Sequence, residues 1–275
     1  MLKNAISMEK SELRQRTLSI VATIPLFLVL VLFSKWSFIF LFWTLSLLAM
    51  QEFSKMVFIK EERIFALVLF VFSSFLVYGK FFFEVTNISH FLIAGWYGVF
   101  IALIYWGMND LSRLLERVGF FLFGVLYCFL LPLFWVRVGV EWSRLTIVGF
   151  ALVVWSNDIG AYLFGKKWGK HKVIPRLSPG KSWEGFGGGL LCAALGAYFI
   201  GKFSLWPFSG VTGWWFGLAL GSVAFLGDLF ESGLKRRSGL KDSGVFLPGH
   251  GGLLDRFDSF FMVGPLAYLF CTIWG

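Results

Sequence analysis

Residues that could do ionic chemistry concentrate between Ser232 and Asp258, where the sequence reads SGLKRRSGLKDSGVFLPGHGGLLDRFD between two apolar segments. Charged side chains at membrane depth cost about 2.5 kcal/mol or more each unless they are paired, solvated or held by a metal ion. A dense cluster of lysine, arginine, histidine and aspartate in such a place is therefore a candidate functional site. It predicts ionic chemistry at a membrane surface.

Asp228 begins the acidic part of this cluster, inside the apolar stretch AFLGDLFESGLK. Three polar residues follow at three, four and seven positions beyond it, namely Glu231, Ser232 and Lys235. On an α-helix this spacing places all four side chains on one face. One helix end would then present two carboxylates and a lysine together.

Asp255 and Asp258 stand three residues apart at the start of the last apolar segment, so they too can share a helical face. Two helix ends that carry carboxylates and flank one loop could meet. Converging carboxylates near lysines and a phosphate site are the usual way to hold Mg²⁺. The alternative, salt bridges in place of a metal site, would pair Asp228 and Asp255 with Lys235 and Arg256. The predicted metal ligands of this region are Asp228, Asp255, Asp258 and Glu231.

A further acid, Asp158, lies in the apolar stretch VVWSNDIGAYLFG beside Ser156 and Asn157. Polar groups inside an apolar helix need partners. Two interpretations stay open for Asp158: it is a ligand in the metal site, or it packs helices together through hydrogen bonds. Glu52 and Glu184 lie close to the ends of apolar segments, and we expect both to be interfacial.

The composition favours a bilayer as the solvent of this chain. Hydrophobic residues make up 57% of the 275 residues and aromatic residues 20%, and the mean hydropathy is +0.76. This leaves too little polar surface for a soluble globular protein of this length. The three cysteines, Cys128, Cys192 and Cys271, lie far apart in apolar runs without CxxC spacing, and we expect them to be small core residues.

Apolar runs interrupted by charges predict an all-α, polytopic integral membrane protein with about nine transmembrane helices. The third run is short for a bilayer core of about 30 Å and could be a half-span, unless Phe81–Phe83 extend it past Lys80. We divide the chain into an N-terminal region of five helices, residues 1–145, and a C-terminal catalytic region, residues 146–275, with active-site loops at 166–184 and 232–254. The predicted spans are Thr17–Ser34, Trp36–Phe58, Ile64–Tyr78, Phe91–Gly107, Phe120–Val136, Thr146–Gly165, Gly185–Trp206, Val211–Phe230 and Arg256–Trp274.

Basic residues are distributed unevenly between the two sides of these spans. With the N-terminus on the cytoplasmic side, 20 of the 25 lysines and arginines face the cytoplasm. This asymmetry follows the positive-inside rule. It predicts a multi-pass protein of a bacterial cytoplasmic (inner) membrane, with the active site facing the cytoplasm.

Two long loops on that side, Lys166–Ser182 and Ser232–Gly252, intersperse lysine and arginine with glycine, proline and serine. Glycine lets backbone N–H groups approach a ligand closely, and the lysine, arginine and serine side chains supply donors to phosphate. Both loops are therefore predicted to hold polyanions. His250 lies in the glycine-rich turn PGHGG, where we expect contact with phosphate rather than general-base catalysis.

These residues resemble the signature of phosphatidate cytidylyltransferases, also called CDP-diacylglycerol synthases. The matching pattern is Ser232-x-Leu234-Lys235-Arg236, then Lys241-Asp242-x-Gly244, then Leu247-Pro248-x-His250-Gly251-Gly252-Leu253-x-Asp255-Arg256-x-Asp258. It runs through 27 residues without a departure, which makes it far more specific than a short glycine motif. The segment Ser178–Gly185 and the Asp158 stretch resemble a second region shared by this family, and the resemblance covers about Val153–Gly275.

The resemblance implies the reaction of CTP with phosphatidic acid, which gives CDP-diacylglycerol and pyrophosphate. It also fits Mg²⁺ as the cofactor, and CTP, phosphatidic acid and the lipid bilayer as partners, without nucleic acid. The expected catalytic residues are Asp228, Asp255, Lys235 and Asp258, with Asp158 as a further metal ligand. The residues expected to bind the substrate phosphates are Arg176, Ser178, Lys181, Ser182, Ser232, Arg236, Lys241, His250 and Arg256.

Two other functions can be weighed against this one. A secondary transporter of an anionic substrate would also carry intramembrane acids and a basic vestibule, but related halves with paired broken helices are typical of that class, and the sequence shows no such repeat. CDP-alcohol phosphotransferases resemble a DGxxAR pattern followed by spaced acids, which this chain lacks. The glycine-rich stretch Phe186–Gly196 could pack helices within one chain or between two copies in a homodimer, and we expect the former.

Overall fold

The computed structural model describes residues 24–83, 89–108, 111–203, 210–240, 242–244 and 251–274. Within these ranges all regular structure is helical, apart from an isolated bridge between Lys172 and Ser182. The predicted all-α class is confirmed. The helices of the described ranges are α1 Ile24–Phe33, α2 Lys35–Val57, α3 Lys60–Phe83, α4 Ser89–Met108, α5 Leu114–Glu141, α6 Arg144–Trp168, α7 Trp183–Lys202, α8 Gly210–Arg237 and α9 Leu254–Trp274.

Seven of these helices are long and apolar enough to cross a membrane, namely α2, α3 and α5 to α9, so the chain is polytopic. α1 and the apolar part of α4, Leu92–Met108, are shorter, and they coincide with the first and fourth predicted spans. α3 continues through Phe83, so the longer version of the third span is right. The predicted start of the first span, residues 17–23, lies outside the described residues.

Serine side chains fix where three of the helices begin. At the start of α2, the Ser34 hydroxyl accepts a hydrogen bond from the Ser37 amide, and the Ser34 amide donates to the Ser37 hydroxyl, both at 3.0 Å. Ser143 caps α6 and Ser182 caps α7. Caps of this kind contribute about 1 kcal/mol each. The cap at Ser182 defines the point where the first polar loop ends and α7 begins.

α5 contains a π-helical turn at Leu126–Leu130, directly before Pro132. Proline has no backbone N–H, so it cannot donate the hydrogen bond that a continuous α-helix requires, and a wider turn accommodates it. The turn carries Tyr127, which is buried and packs its ring against Phe230 of α8. α5 is thereby held against the acidic end of α8.

α9 packs on α5 through aromatic and small residues. The rings of Trp135 and Phe260 stack with their centroids 4.2 Å apart, and the Trp135 Nε1 donates to the Phe260 carbonyl at 2.8 Å. The backbones also approach closely, since a Cβ on Gly264 would lie 2.7 Å from the Leu131 carbonyl oxygen. Contacts therefore cross the boundary predicted at residue 145.

α6, α7 and α8 pack together around Asn157. A Cβ on Gly189 of α7 would lie 2.9 Å from the Asn157 Oδ1 of α6, and a Cβ on Gly221 of α8 would lie 2.8 Å from the same atom. Small residues at such points let helices approach each other within a membrane. The glycine-rich stretch Phe186–Gly196 thus packs within the chain, as predicted, while a homodimer stays a prediction.

We expect Gly217→Ala to destabilise the packing of α8 on α7. The new Cβ would lie 2.5 Å from the Ala193 carbonyl oxygen and 2.6 Å from the Ala194 Cα, and these backbone atoms cannot move alone. Overpacking of this kind costs about 1–3 kcal/mol. The midpoint of thermal unfolding in detergent, followed by circular dichroism, should fall by several degrees.

A matched control for this change lies on α7. A Cβ on Gly187 would meet no atom within 4 Å. Gly187→Ala should therefore leave the midpoint unchanged or raise it, because alanine has the higher helix propensity. Equal midpoints for the two variants would contradict the close approach of α7 and α8.

Candidate active site

Three carboxylates converge where α8 and α9 meet. Asp228 and Glu231 lie about one turn apart on α8, and Asp258 lies near the start of α9. One oxygen of each carboxylate lies within 4.8 Å of the other two. The Asp228 side chain is 47% exposed, whereas Glu231 and Asp258 are buried. The structure thus brings together three of the four acids predicted from this region.

Lys235 lies about one turn beyond Glu231 and links α8 to α9. Its Nζ is 2.5 Å from the Glu231 Oε2 and 2.6 Å from the Asp255 Oδ1. The lysine side chain is only 14% exposed, so both ion pairs are largely shielded from water. A shielded pair of this kind cannot lose one partner without leaving an uncompensated charge. The pairing of Asp255 with Lys235, raised as an alternative from the sequence, is present.

Asp255 is engaged on both of its oxygens. Besides Lys235 at Oδ1, its Oδ2 accepts hydrogen bonds from the backbone amides of Ser243, at 2.9 Å, and Gly252, at 2.8 Å. Gly251 precedes this turn with a φ of 83°, a conformation that glycine adopts at little steric cost. Asp255 therefore closes the turn into α9; its side chain contacts Glu231, but it is not one of the three carboxylates that converge. Its role as a metal ligand stays a prediction.

Lys181 brings the first polar loop to the same place. Its Nζ lies 2.9 Å from the Asp228 Oδ1 and 5.5 Å from the centroid of the Phe225 ring. The lysine is therefore held against α8 by a carboxylate and an aromatic face. The first polar loop, which α7 separates from α8 in the sequence, thus reaches the carboxylates of α8.

The first polar loop begins after α6 and comprises residues 169–182 in the structure. It folds back on itself and onto α8. The Val173 amide donates to the Lys181 carbonyl at 3.2 Å, and the Arg236 Nε donates to the Leu177 carbonyl at 3.3 Å. Ser182, which we expect to bind phosphate, is buried, and its hydroxyl accepts the capping hydrogen bond of α7. The cap uses this hydroxyl as an acceptor, so its O–H can still donate to a phosphate.

Glu52 lies near the end of α2 and makes contacts that the sequence analysis does not predict. It is buried in the protein, with 6% exposed, and its carboxylate faces the start of α9. There it accepts hydrogen bonds from the Ser243 hydroxyl and from the amides of Leu253 and Leu254. Its place at the membrane interface stays a prediction. A charge inside an apolar segment was the available signal, but a partner 201 residues away is not visible in a single sequence. Glu184, by contrast, stays partly exposed at the start of α7.

Asp158 lies on α6 and is exposed. Among the described residues, it is not one of the three carboxylates that converge. It lies within electrostatic range of Asp228 and Lys181. Its neighbour Asn157 is buried and donates from Nδ2 to the Asp158 Oδ1 at 3.4 Å. The polar triplet therefore serves helix packing through Asn157, and the assignment of Asp158 as a metal ligand stays a prediction.

The other predicted substrate-binding residues lie on the first polar loop and on α8 and α9, or outside the described part. The arginines are exposed, and they are Arg176, Arg236 and Arg256. The remaining serines are partly buried, and they are Ser178 and Ser232. Lys241 and His250 lie outside the described residues.

The chemistry of the three carboxylates suits a divalent cation. Both oxygens of Glu231 are buried; the Lys235 ammonium contacts Oε2, whereas Oε1 has no hydrogen-bond donor among the described residues. A buried carboxylate oxygen without a donor is costly, and a bound cation would satisfy it. Mg²⁺ prefers hard oxygen ligands and binds through few carboxylates, with water and phosphate oxygens completing its octahedron. Asp228, Glu231 and Asp258 fit that requirement.

Comparison with known proteins places the chain in a family. The sequence profile described as "Cytidylyltransferase family" matches residues 14–274. The phosphatidate cytidylyltransferase of Bacillus subtilis (strain 168) is 34% identical over 266 residues, which cover 95% of this chain and 98% of the relative. That of Staphylococcus aureus (strain COL) is 44% identical over 172 residues, which cover 61% of this chain and only 64% of the relative's length. The chain belongs to the cytidylyltransferase family.

Proposed function

We propose that this chain is a phosphatidate cytidylyltransferase, which joins CTP and phosphatidic acid into CDP-diacylglycerol and releases pyrophosphate. One observation carries the proposal: three carboxylates converge, and two lysines contact them, Lys181 from the first polar loop and Lys235 from α8. Membership of the family and the names of the relatives support the same reaction. These relatives are named for a transferase, and no observation favours the transporter.

Both substrates are polyanions, and the reaction joins them at phosphorus. An oxygen of the phosphatidic acid phosphate attacks the α-phosphorus of CTP. The bond from this phosphorus to the oxygen that bridges to the β-phosphate breaks, and pyrophosphate leaves with that oxygen. The lipid phosphate is already a nucleophile near neutral pH, so no general base is needed. The reaction instead requires charge neutralisation and in-line placement of the two phosphates.

The basic residues of both loops would supply much of that neutralisation. Lys181 lies beside the most exposed of the three carboxylates, so its ammonium group can reach a phosphate held there. Lys235 is fixed from two sides and would orient the carboxylates while adding positive charge to the site. The further residues that we propose for binding triphosphate or lipid phosphate are Arg176, Ser178, Ser182, Ser232, Arg236, Lys241, His250 and Arg256.

The proposed cofactor is Mg²⁺, held by Asp228, Glu231 and Asp258. When bound, it would neutralise charge on the substrate phosphates and on the departing pyrophosphate. Asp255 would support this site by holding Lys235 and the turn into α9. Asp158 would add negative charge at the edge of the site.

The proposed location is a bacterial cytoplasmic membrane, with the site facing the cytoplasm. CTP is water-soluble, whereas phosphatidic acid stays in the lipid leaflet, so the site must lie at a membrane boundary. The excess of lysine and arginine in the loops on one side supports the cytoplasmic boundary.

The direct test uses purified protein in detergent with phosphatidic acid and radiolabelled CTP. We expect label in the lipid extract when Mg²⁺ is present, and a loss of that product when EDTA replaces it, because the three carboxylates would then lack their cation. Omission of phosphatidic acid is the control for lipid-independent labelling. Folded protein that binds CTP but forms no labelled lipid would contradict the proposal and would direct attention to transport in proteoliposomes.

A further inference from the structure

We propose that Glu52 is a positioning residue of this site: it fixes the start of α9 and so places Asp258 opposite the acids of α8. The inference rests on the proposed function, because it names what orders the proposed metal site. It also gives a role to the N-terminal region, where the sequence analysis assigned no functional residue.

The carboxylate of Glu52 accepts hydrogen bonds from two segments, one at Ser243 and the other at the start of α9. Its Oε2 accepts from the Ser243 hydroxyl at 2.8 Å and from the Leu254 amide at 2.9 Å, and its Oε1 accepts from the Leu253 amide at 2.9 Å. α9 begins at Leu254, so these amides are among the first N–H groups of the helix, which lack partners within it. Glu52 thus caps α9 from another helix, and its negative charge complements the helix dipole.

Two glycines of the signature make room for this carboxylate. A Cβ on Gly244 would lie 2.5 Å from the Glu52 Oε1, and a Cβ on Gly252 would lie 2.5 Å from the Oε2 and 2.0 Å from the Ser243 Oγ. Any side chain at either position would displace the Glu52 carboxylate or its partners. The loop is therefore shaped around Glu52.

A continuous series of contacts leads from Glu52 to the converging carboxylates. Ser243 contacts Glu52 through its hydroxyl and Asp255 through its amide. Asp255 pairs with Lys235, which pairs with Glu231. The direction and register of α9 also determine the position of the Asp258 side chain, which lies about one turn beyond Asp255. A shift at the Glu52 end would therefore displace ligands on both helices.

A carboxylate is needed at this position because its three hydrogen-bond partners are all donors. Glutamine at residue 52 would keep the size of the side chain but would replace one acceptor oxygen by an NH₂ group. That group would face an amide N–H or the serine hydroxyl, so at least one buried donor would lose its partner. The two donors that face each other would separate, and the start of α9 would move with them.

The test compares Glu52→Gln with Glu62→Gln in the full-length protein. Glu62 is the matched control, because its partly buried carboxylate also ties two helices together, through Arg117 of α5 rather than through the described residues of the loop into α9. Four quantities are measured for each: kcat, KM for CTP, the Mg²⁺ concentration for half-maximal rate, and amide hydrogen exchange of residues 251–258.

For Glu52→Gln we expect kcat to fall about tenfold or more, and the Mg²⁺ concentration for half-maximal rate to rise by a similar factor. Effects of this size follow when the hydrogen-bond partners of metal ligands are removed. Exchange across 251–258 should become faster. Glu62→Gln should change none of these, even where it lowers the temperature of unfolding. If Glu52→Gln does not fold, Glu52→Asp replaces it, since it keeps the charge with a shorter reach and should show the same changes to a smaller extent.

The outcomes separate this inference from the proposed function. Where wild type and Glu62→Gln form CDP-diacylglycerol, a Glu52→Gln protein with kcat and Mg²⁺ requirement within about twofold of wild type overturns the inference alone. Where wild type forms no product, the proposed function fails, and amide exchange decides the role of Glu52. Equal exchange across 251–258 in the two variants would then overturn it, and faster exchange confined to the Glu52 variant would support it.

Discussion

Asp228→Asn should lower transferase turnover by at least about a hundredfold, the scale of removing one group that stabilises charge at a reacting centre. Of the three converging carboxylates, Asp228 has the side chain most open to solvent and hence to substrate. Asparagine keeps its size but removes the charge that would bind Mg²⁺ and attract Lys181. The initial rate of CDP-diacylglycerol formation by purified protein measures the effect.

The fold should tolerate this change. The ion pair of Asp228 with Lys181 is half exposed on the aspartate side, and such pairs contribute about 1 kcal/mol or less. Glu116→Gln is the matched control, because it removes a carboxylate from another exposed ion pair, with Arg237 at the end of α8. Its rate should stay close to that of wild type. A near-normal rate for Asp228→Asn, in protein that unfolds at the wild-type temperature, would show that the metal assignment is wrong.

The parts of the site that could be predicted depend on local periodicity. Asp228, Glu231 and Lys235 lie on one helix, and helical spacing alone places them on one face. The helices themselves could also be predicted, because the bilayer requires long apolar runs whose backbone groups are satisfied internally. The extension of α3 through Phe83 follows from the same requirement.

The parts that could not be predicted depend on contacts between distant segments. Asp255 has the local pattern of a metal ligand, yet the Ser243 and Gly252 amides occupy one of its oxygens and Lys235 occupies the other. Glu52 reaches the same turn from α2. The sequence contains each of these residues but not the geometry of the turn, so it cannot decide which acceptor each donor finds.

Lys235→Gln should have the largest combined effect on folding and activity. Lys235 is within salt-bridge distance of both Glu231 and Asp255. The Glu231 and Asp255 side chains are 1% and 10% exposed, so neither water nor salt can compensate the charges that remain. Removal of one partner from a buried ion pair costs about 3–5 kcal/mol. The unfolding midpoint without Mg²⁺ should fall well below that of wild type, and turnover should fall with it.

Arg237→Gln is the matched control on the same helix, because its pair with Glu116 is more than half exposed on both sides and should contribute little.

A second substitution then separates the effect of charge balance on stability from the effect on the reaction. Glu231→Gln in the Lys235→Gln background removes one uncompensated carboxylate, so the midpoint should recover in part. Turnover should not recover, since the double variant lacks both a proposed metal ligand and the lysine that orders it. A double variant no more stable than Lys235→Gln would contradict the ion-pair account, and one that regained turnover would show that Glu231 is not a ligand.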